Sequence, residues 1–316
     1  METNLLRHWT KQWLPSVLDA SGLMRGLRQW GPGAGAVCLA YHRVEPAVFL
    51  RHARFLAAQA RVVSADRLLD GISSSGRPVV VLTFDDGYAS FAEEITPILR
   101  QFNLSALWFI PTEVVRTGRF FWFDRVRVAV AALRRERLQF GGRDWILKKW
   151  NRPYVTAAIQ HFLKGLSPEE RAKNLQSLME QAGPVSDEAL RPYRVASPEQ
   201  VGAVDSRRVT VGSHSHTHSE LTRLSSDRIR EELTASRRFL QEWTGQPVRH
   251  FALPSGEYNE EVLRVARESG YSSAWTTEAG WAAAGADPYR LPRMLIDDAA
   301  SVGILSAKIT PLVSRL

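Results

Sequence analysis

The succession of short apolar runs constrains this chain more than any other feature of its sequence. Residues 37–41 (VCLAY), 79–84 (VVVLTF), 105–110 (SALWFI) and 209–212 (VTVG) are too short for buried helices and too uniformly apolar for half-exposed strands. Each reads as a parallel strand covered on both faces. Strand-like pieces follow at 248–253 and 272–277, and helical patterns fill the gaps at 47–60, 88–102, 226–243 and 259–269. Strand, helix, strand repeated in this way predicts an α/β fold, a parallel sheet or barrel with helices outside. In such folds functional side chains gather at the C-terminal ends of the strands.

Two of those ends carry unusual chemistry. The run 79–84 is followed at once by Asp85 and Asp86. Burying one carboxylate is costly and two neighbours repel, which points to a bound cation or a shared proton; an Asp-Gly turn with solvated acids fits this piece equally well. The run 209–212 leads into SHSHTH, where three of the chain's eight histidines stand at His214, His216 and His218. A helical turn there would bring His214 and His218 to one side, and imidazole is the commonest metal ligand. His216 points elsewhere and reads as a supporting residue. Combined, the two ends form a facial site: one aspartate, His214 and His218 around zinc or another first-row divalent ion. The second aspartate is left as a general base. Neighbours on an extended chain point in opposite directions, so both aspartates do not bind the metal; spacing does not say which one does.

These residues resemble the NodB-type polysaccharide deacetylases, carbohydrate esterase family four. The family's first motif, TFDDG, is intact at 83–87, and its second, H-S/T-x-x-H, matches His214, Ser215 and His218. Matching order and spacing extend over about 80–130 and 200–298. The resemblance implies a distorted (β/α) barrel of about seven parallel strands with a helical insertion. It also implies a divalent metal, zinc being the expected ion, held by Asp86, His214 and His218, with Asp85 as the catalytic base. The implied activity is metal-dependent hydrolysis of the N-acetyl group of an amino sugar in a polysaccharide or glycan precursor, a C–N bond other than a peptide bond. Residues 41–43 (YHR) resemble the tyrosine–histidine strand end of members found in exopolysaccharide clusters.

The chain departs from the family pattern in two places. The third motif aligns with 252–256 (ALPSG), so the arginine that orients the base in many members is Ala252 and the aromatic after the proline is Ser255. The backbone N–H of Ser255 still offers an oxyanion donor. Arg293, in the LPR of 291–293, is the expected substitute for the arginine, against a structural or surface ion pair. The late leucine–histidine pair that supplies the general acid is absent, since no histidine follows His250. His42 is expected to protonate the leaving amine instead, against a packed core histidine. These gaps keep open a non-catalytic glycan-binding or assembly protein, or a hydrolase of another C–N or ester bond.

Charge divides the chain unevenly. The formal net charge is +8, yet residues 116–164 hold twelve Lys or Arg against Asp124, Glu136 and Asp144, and the rest has 29 basic and 30 acidic residues. So local a patch suits an anionic glycan, an anionic lipid surface or a plain solvated face. No nucleic-acid-binding motif accompanies it, so nucleic acid is not an expected partner. Gly141, Gly142 and Pro153 read as helix breakers within this segment. The expected division is an amphipathic N-terminal helical segment over 1–35, a barrel over 36–115 and 200–300, a basic helical insertion over 116–199, and a tail over 301–316. A single cysteine, Cys38, excludes an intrachain disulfide and a Cys-based zinc cluster. With no apolar stretch of about 18 residues and no leader-like apolar centre near the start, a cytoplasmic protein is expected, peripheral at a membrane. Its partner would be an N-acetylated glycan or a lipid-linked sugar.

Overall fold

The computed structural model describes residues 35–71 and 76–310. The N-terminal helical segment and residues 311–316 of the expected tail lie outside the described residues. In chain order the elements are β1 (Gly35–Tyr41), α1 (Pro46–Gln59), β2 (Arg61–Val62), α2 (Ala65–Leu69), β3 (Val79–Phe84), α3 (Thr96–Gln101), β4 (Ala106–Ile110) and α4 (Thr112–Thr117). There follow α5 (Trp122–Ala132), β5 (Arg137–Phe140), β6 (Arg143–Ile146), α6 (Arg152–Lys164), α7 (Pro168–Ala182), α8 (Asp187–Leu190) and α9 (Pro198–Gly202). The chain returns through β7 (Val209–Ser213), α10 (Ser226–Thr244), β8 (His250–Ala252), α11 (Glu260–Glu268), β9 (Ser273–Trp275), β10 (Trp281–Ala283), β11 (Met294–Leu295) and α12 (Val302–Lys308). Two compact units result: Gly118–Val195, and the chain on either side of it.

The larger unit is a distorted (β/α) barrel. Its sheet runs β10-β1-β3-β4-β7-β8-β9, with β11 beside β1 and β2 beside β3. Every pairing is parallel except that of β10 with β1. The segment before β11 closes the circuit, because Leu291 bridges to Trp275 of β9 while Met294 pairs with Leu39 of β1. β3 and β4 contain no residue that is not buried, as expected of strands covered by helices outside and packed side chains inside. Aromatic rings fill part of that space: Tyr41 stacks on Phe84 at 5.1 Å and Phe84 meets Phe91 at 4.7 Å. α10 lays Ile229, Leu233 and Leu240 inward at helical spacing. No helix among the described residues is long and apolar enough to cross a membrane.

The smaller unit has its own apolar core, in which Val126, Val130, Leu138, Phe140, Ile159, Leu163 and Leu178 are buried together. It is not wholly helical, and the reading of Gly141 and Gly142 as helix breakers is corrected here. They are the turn of the β5–β6 hairpin, in which Phe140 pairs with Arg143 and Arg137 with Ile146. Both glycines have positive φ, 61° and 71°, the requirement of a two-residue type I′ turn. The strand signal was there in Leu138 and Phe140, buried between exposed Arg137 and Gln139, but it is only four residues long.

Candidate active site

The strand register assembles the first half of the site. β1 and β3 run parallel with Tyr41 opposite Phe84, and the Asp85 N–H donates to the Tyr41 carbonyl at 2.9 Å. The next residue on each strand is therefore a neighbour of the other: His42 Nε2 lies 3.9 Å from Asp85 Oδ2. His42 is 42% exposed, so it is no packed core histidine, while Asp85 is 2% exposed. Beneath Asp85 lies Arg293, fully buried, at the start of the closing segment. Its two terminal nitrogens donate to Asp85 Oδ1 at 2.7 Å and Oδ2 at 2.9 Å. Nε donates to the Thr276 carbonyl at 2.8 Å, and the Thr83 hydroxyl accepts at 3.2 Å. Burial alone would raise the Asp85 carboxyl; Arg293, helped by His214 and His42, outweighs it and holds the group below its ordinary range.

Asp86 does not follow the alternation of an extended chain. Its φ is +69°, a left-handed conformation that Asp tolerates better than most side chains. The expectation that adjacent aspartates point apart fails for this reason, and both carboxylates face the same imidazole: His214 Nε2 is 4.0 Å from Asp85 Oδ2 and 3.5 Å from Asp86 Oδ1. Asp86 Oδ1 is also 3.3 Å from His218 Nε2. Burial opposes ionisation of Asp86, but its hydrogen bonds to the two histidines hold it well below the usual carboxylate range.

The histidine segment is a loop, not the helical turn that the i, i+4 spacing predicts. Positive φ at Ser215 (63°) and His218 (62°) folds it back on itself, and the two imidazoles meet edge to face at 4.8 Å. His214 Nδ1 donates to the Ala252 carbonyl at 2.8 Å, which leaves Nε2 toward Asp86. Glu232 of α10 holds the loop from behind: its carboxylate accepts from the N–H groups of His216 and Thr217 at 2.9 and 2.8 Å and from the Thr217 hydroxyl at 2.6 Å. His216 faces away from His214 and His218, within 2.8 Å of the Thr112 hydroxyl and stacked on Phe239.

Ligand atoms about 2.1 Å from a tetrahedral zinc stand about 3.4 Å apart. The Asp86–His214 and Asp86–His218 separations of 3.5 and 3.3 Å match this, and one donor atom from each of the three residues lies within 4.8 Å of the others. The bond from His214 to Ala252 is the outer support that ligand imidazoles require. The cluster therefore fits a divalent cation.

Of the residues singled out in the sequence, Asp85, Asp86, His42, His214, His218 and Arg293 come together. Ser255 lies in the turn after β8, with φ 59°, exposed, three residues beyond Ala252, whose carbonyl accepts from His214. Sequence reasoning gave Thr83 no role within its motif and missed Glu232 and the carbonyls of Ala252 and Thr276. A buried acid on an amphipathic helix was the only signal for Glu232, and backbone carbonyls leave none. A cavity of about 410 Å³ bordered by Asp66, Arg249 and His250 opens at the other ends of the strands, where His250 Nε2 lies 3.4 Å from Asp66 Oδ1, and it includes no site residue.

Residues 73–274, well over half of the chain, match the family model described as polysaccharide deacetylase. The Bacillus subtilis (strain 168) protein YxkH is 29% identical over 111 residues, covering 35% of this chain and 40% of YxkH. YlxY of the same organism is 29% identical over 69 residues, 22% of either chain. The alignments thus span less than half of these curated relatives. Among solved structures, the fold is similar to Streptococcus pyogenes deacetylase PplD (TM-score 0.57, 18% identity, 89% of this chain and 100% of that one). It is also similar to IcaB from Ammonifex degensii (TM-score 0.58, 20% identity, 88% and 98%). A polysaccharide deacetylase from Bacillus cereus gives a TM-score of 0.57 at 16% identity, over 87% of this chain and 69% of that one.

Proposed function

Since the chain belongs to the polysaccharide deacetylase family, we propose that it hydrolyses the N-acetyl group of an amino sugar within a polysaccharide. Asp85 would act as base beside a divalent cation held by Asp86, His214 and His218, and the donor set of one carboxylate and two imidazoles favours zinc. One observation carries this reading: a buried carboxylate gripped on both oxygens by Arg293 stands 4.0 Å from a ligand imidazole.

Arg293 keeps Asp85 ionised and stops its rotation, so Oδ2 stays on the side shared by His42 and His214. An ionised, oriented carboxylate accepts a proton from the attacking water as the new C–O bond forms. A cation held by Asp86, His214 and His218 would supply Lewis acidity, making water a stronger acid and offsetting negative charge on the acetyl oxygen. The backbone N–H of Ser255, in the turn after β8, would donate to that oxygen. His42, open to solvent and 3.9 Å from the base, gives a proton to the sugar nitrogen as the C–N bond breaks. Acetate and a free sugar amine leave.

Acetate release from a panel of N-acetylated oligosaccharides, with and without chelator, tests the reading. Asp85→Asn should lower kcat by about 10²–10⁴-fold and still retain metal. Release that ignores the chelator, or an Asp85→Asn enzyme as fast as the parent, removes the proposed base and its cation. Binding of the same oligosaccharides with no acetate released would favour a glycan-binding protein on this fold.

A further inference from the structure

The large apolar side chains exposed among the described residues are unevenly placed. Ile146, Trp150, Tyr154 and Phe162 all belong to the smaller unit, leaving Leu295 alone in the barrel. Ile146 is 59% exposed, Trp150 71% and Tyr154 70%. Side-chain hydrogen bonds tie the backbone beneath them. The Asn151 side chain donates to the Ile146 carbonyl at 2.8 Å and accepts from the Lys148 N–H at 2.8 Å, closing the turn that carries Trp150. Tyr154, in the first turn of α6, contacts the Trp145 ring at 6.4 Å. Around this corner are Arg137, paired across the hairpin with Ile146, and Arg143, Lys148 and Lys149. All four are exposed, and none is in an ion pair with another described residue. Asp144 is the one acid between residues 137 and 154.

We propose that this corner of the smaller unit docks on a bilayer surface rich in anionic lipid. Protruding Trp and Tyr flanked by Lys and Arg are the side chains that settle at the headgroup level, rings toward the acyl boundary and cations toward phosphate. Exposed cations with no acid paired to them are attracted to an anionic surface. An uncharged glycan offers these cations hydroxyl groups but no opposite charge, and a protruding Ile146 gives a sugar no ring face to stack on, whereas a lipid interface uses both. The inference does not depend on the chemistry at Asp85.

Co-sedimentation of the full chain with vesicles of phosphatidylcholine and phosphatidylglycerol at 3:1 tests it. Binding should exceed that to pure phosphatidylcholine and fall with added salt. Trp150→Ala/Tyr154→Ala and Lys148→Glu/Lys149→Glu should each weaken binding by about tenfold or more, with melting temperatures unchanged because every altered side chain is exposed. A parent that ignores the anionic vesicles, or double variants that bind as the parent does, overturns the proposal. If the parent instead binds a soluble polyuronate and the same variants lose it, the corner is a glycan subsite and the lipid assignment is wrong.

Discussion

Arg293 shows how far apart in the chain the parts of one functional unit can be. It contacts Asp85 across more than half the sequence, the position expected of a substitute for the arginine that Ala252 replaces. The candidates themselves were legible because acids and imidazoles at the ends of apolar strands have few structural uses. Their convergence was expected as well; what spacing rules for regular strands and helices do not anticipate is the left-handed backbone at Asp86, Ser215 and His218 that achieves it. Arg293 also supplies a sharp prediction. Arg293→Met leaves the Asp85 carboxylate buried without its partner and should cost about 3–5 kcal/mol of stability in chemical denaturation. Arg293→Lys keeps the charge but loses the two-pronged grip, so kcat should fall while bound metal stays stoichiometric. An Arg293→Lys enzyme with parental kcat would show that orientation of Asp85 is unimportant.

At the level of elements, α10 does more than cover the sheet. Glu232 receives three donors from the histidine loop, so Glu232→Ala should leave those groups unsatisfied and let His214 and His218 drift. Metal affinity measured by competition with a chromophoric chelator should then drop about 10–100-fold; unchanged affinity would reduce Glu232 to a packing residue. α1 is anchored by a second buried group. His52 lies 2.8 Å from the Ala300 carbonyl and 3.2 Å from the Tyr41 hydroxyl. Burial, assisted by Arg51, pushes its imidazole below its ordinary 6.5, and the Ala300 bond opposes this only in part. Below pH 6.5 the unfolded chain binds the extra proton more readily than the folded one, so stability contributed by neutral His52 is present above that pH and lost as pH falls. The melting temperature of the parent should therefore decline between pH 7 and 5.5 more than that of His52→Gln. Taking the difference separates His52 from His214, whose proton affinity is raised and acts in the opposite sense. Parallel pH curves for the two proteins would remove His52 from this role. The hairpin in the smaller unit was not legible as an element, since four alternating residues beside two glycines are too little signal to outweigh the helical pattern around them.

Across the whole molecule, the barrel could be read from the sequence because a fully covered parallel strand has to be apolar along its length, and β1, β3 and β4 are. The closing segment was harder to see: Leu291 and β11 engage the sheet through only a few residues, yet they complete the circuit and deliver Arg293 to the site. Two loops from distant strands, one arginine from the closing segment and one carboxylate from an outer helix thus meet at one end of the barrel. All of them are arranged around three donor atoms, an arrangement that fits the divalent ion proposed above. The direct measurement is the melting temperature of metal-stripped protein as zinc chloride is added. The parent should gain about 5 °C or more at a hundredfold excess over Kd, and His218→Ala should gain far less. A parent whose melting does not move, or a His218→Ala protein that responds as the parent does, would contradict the assignment of Asp86, His214 and His218 as the metal ligands.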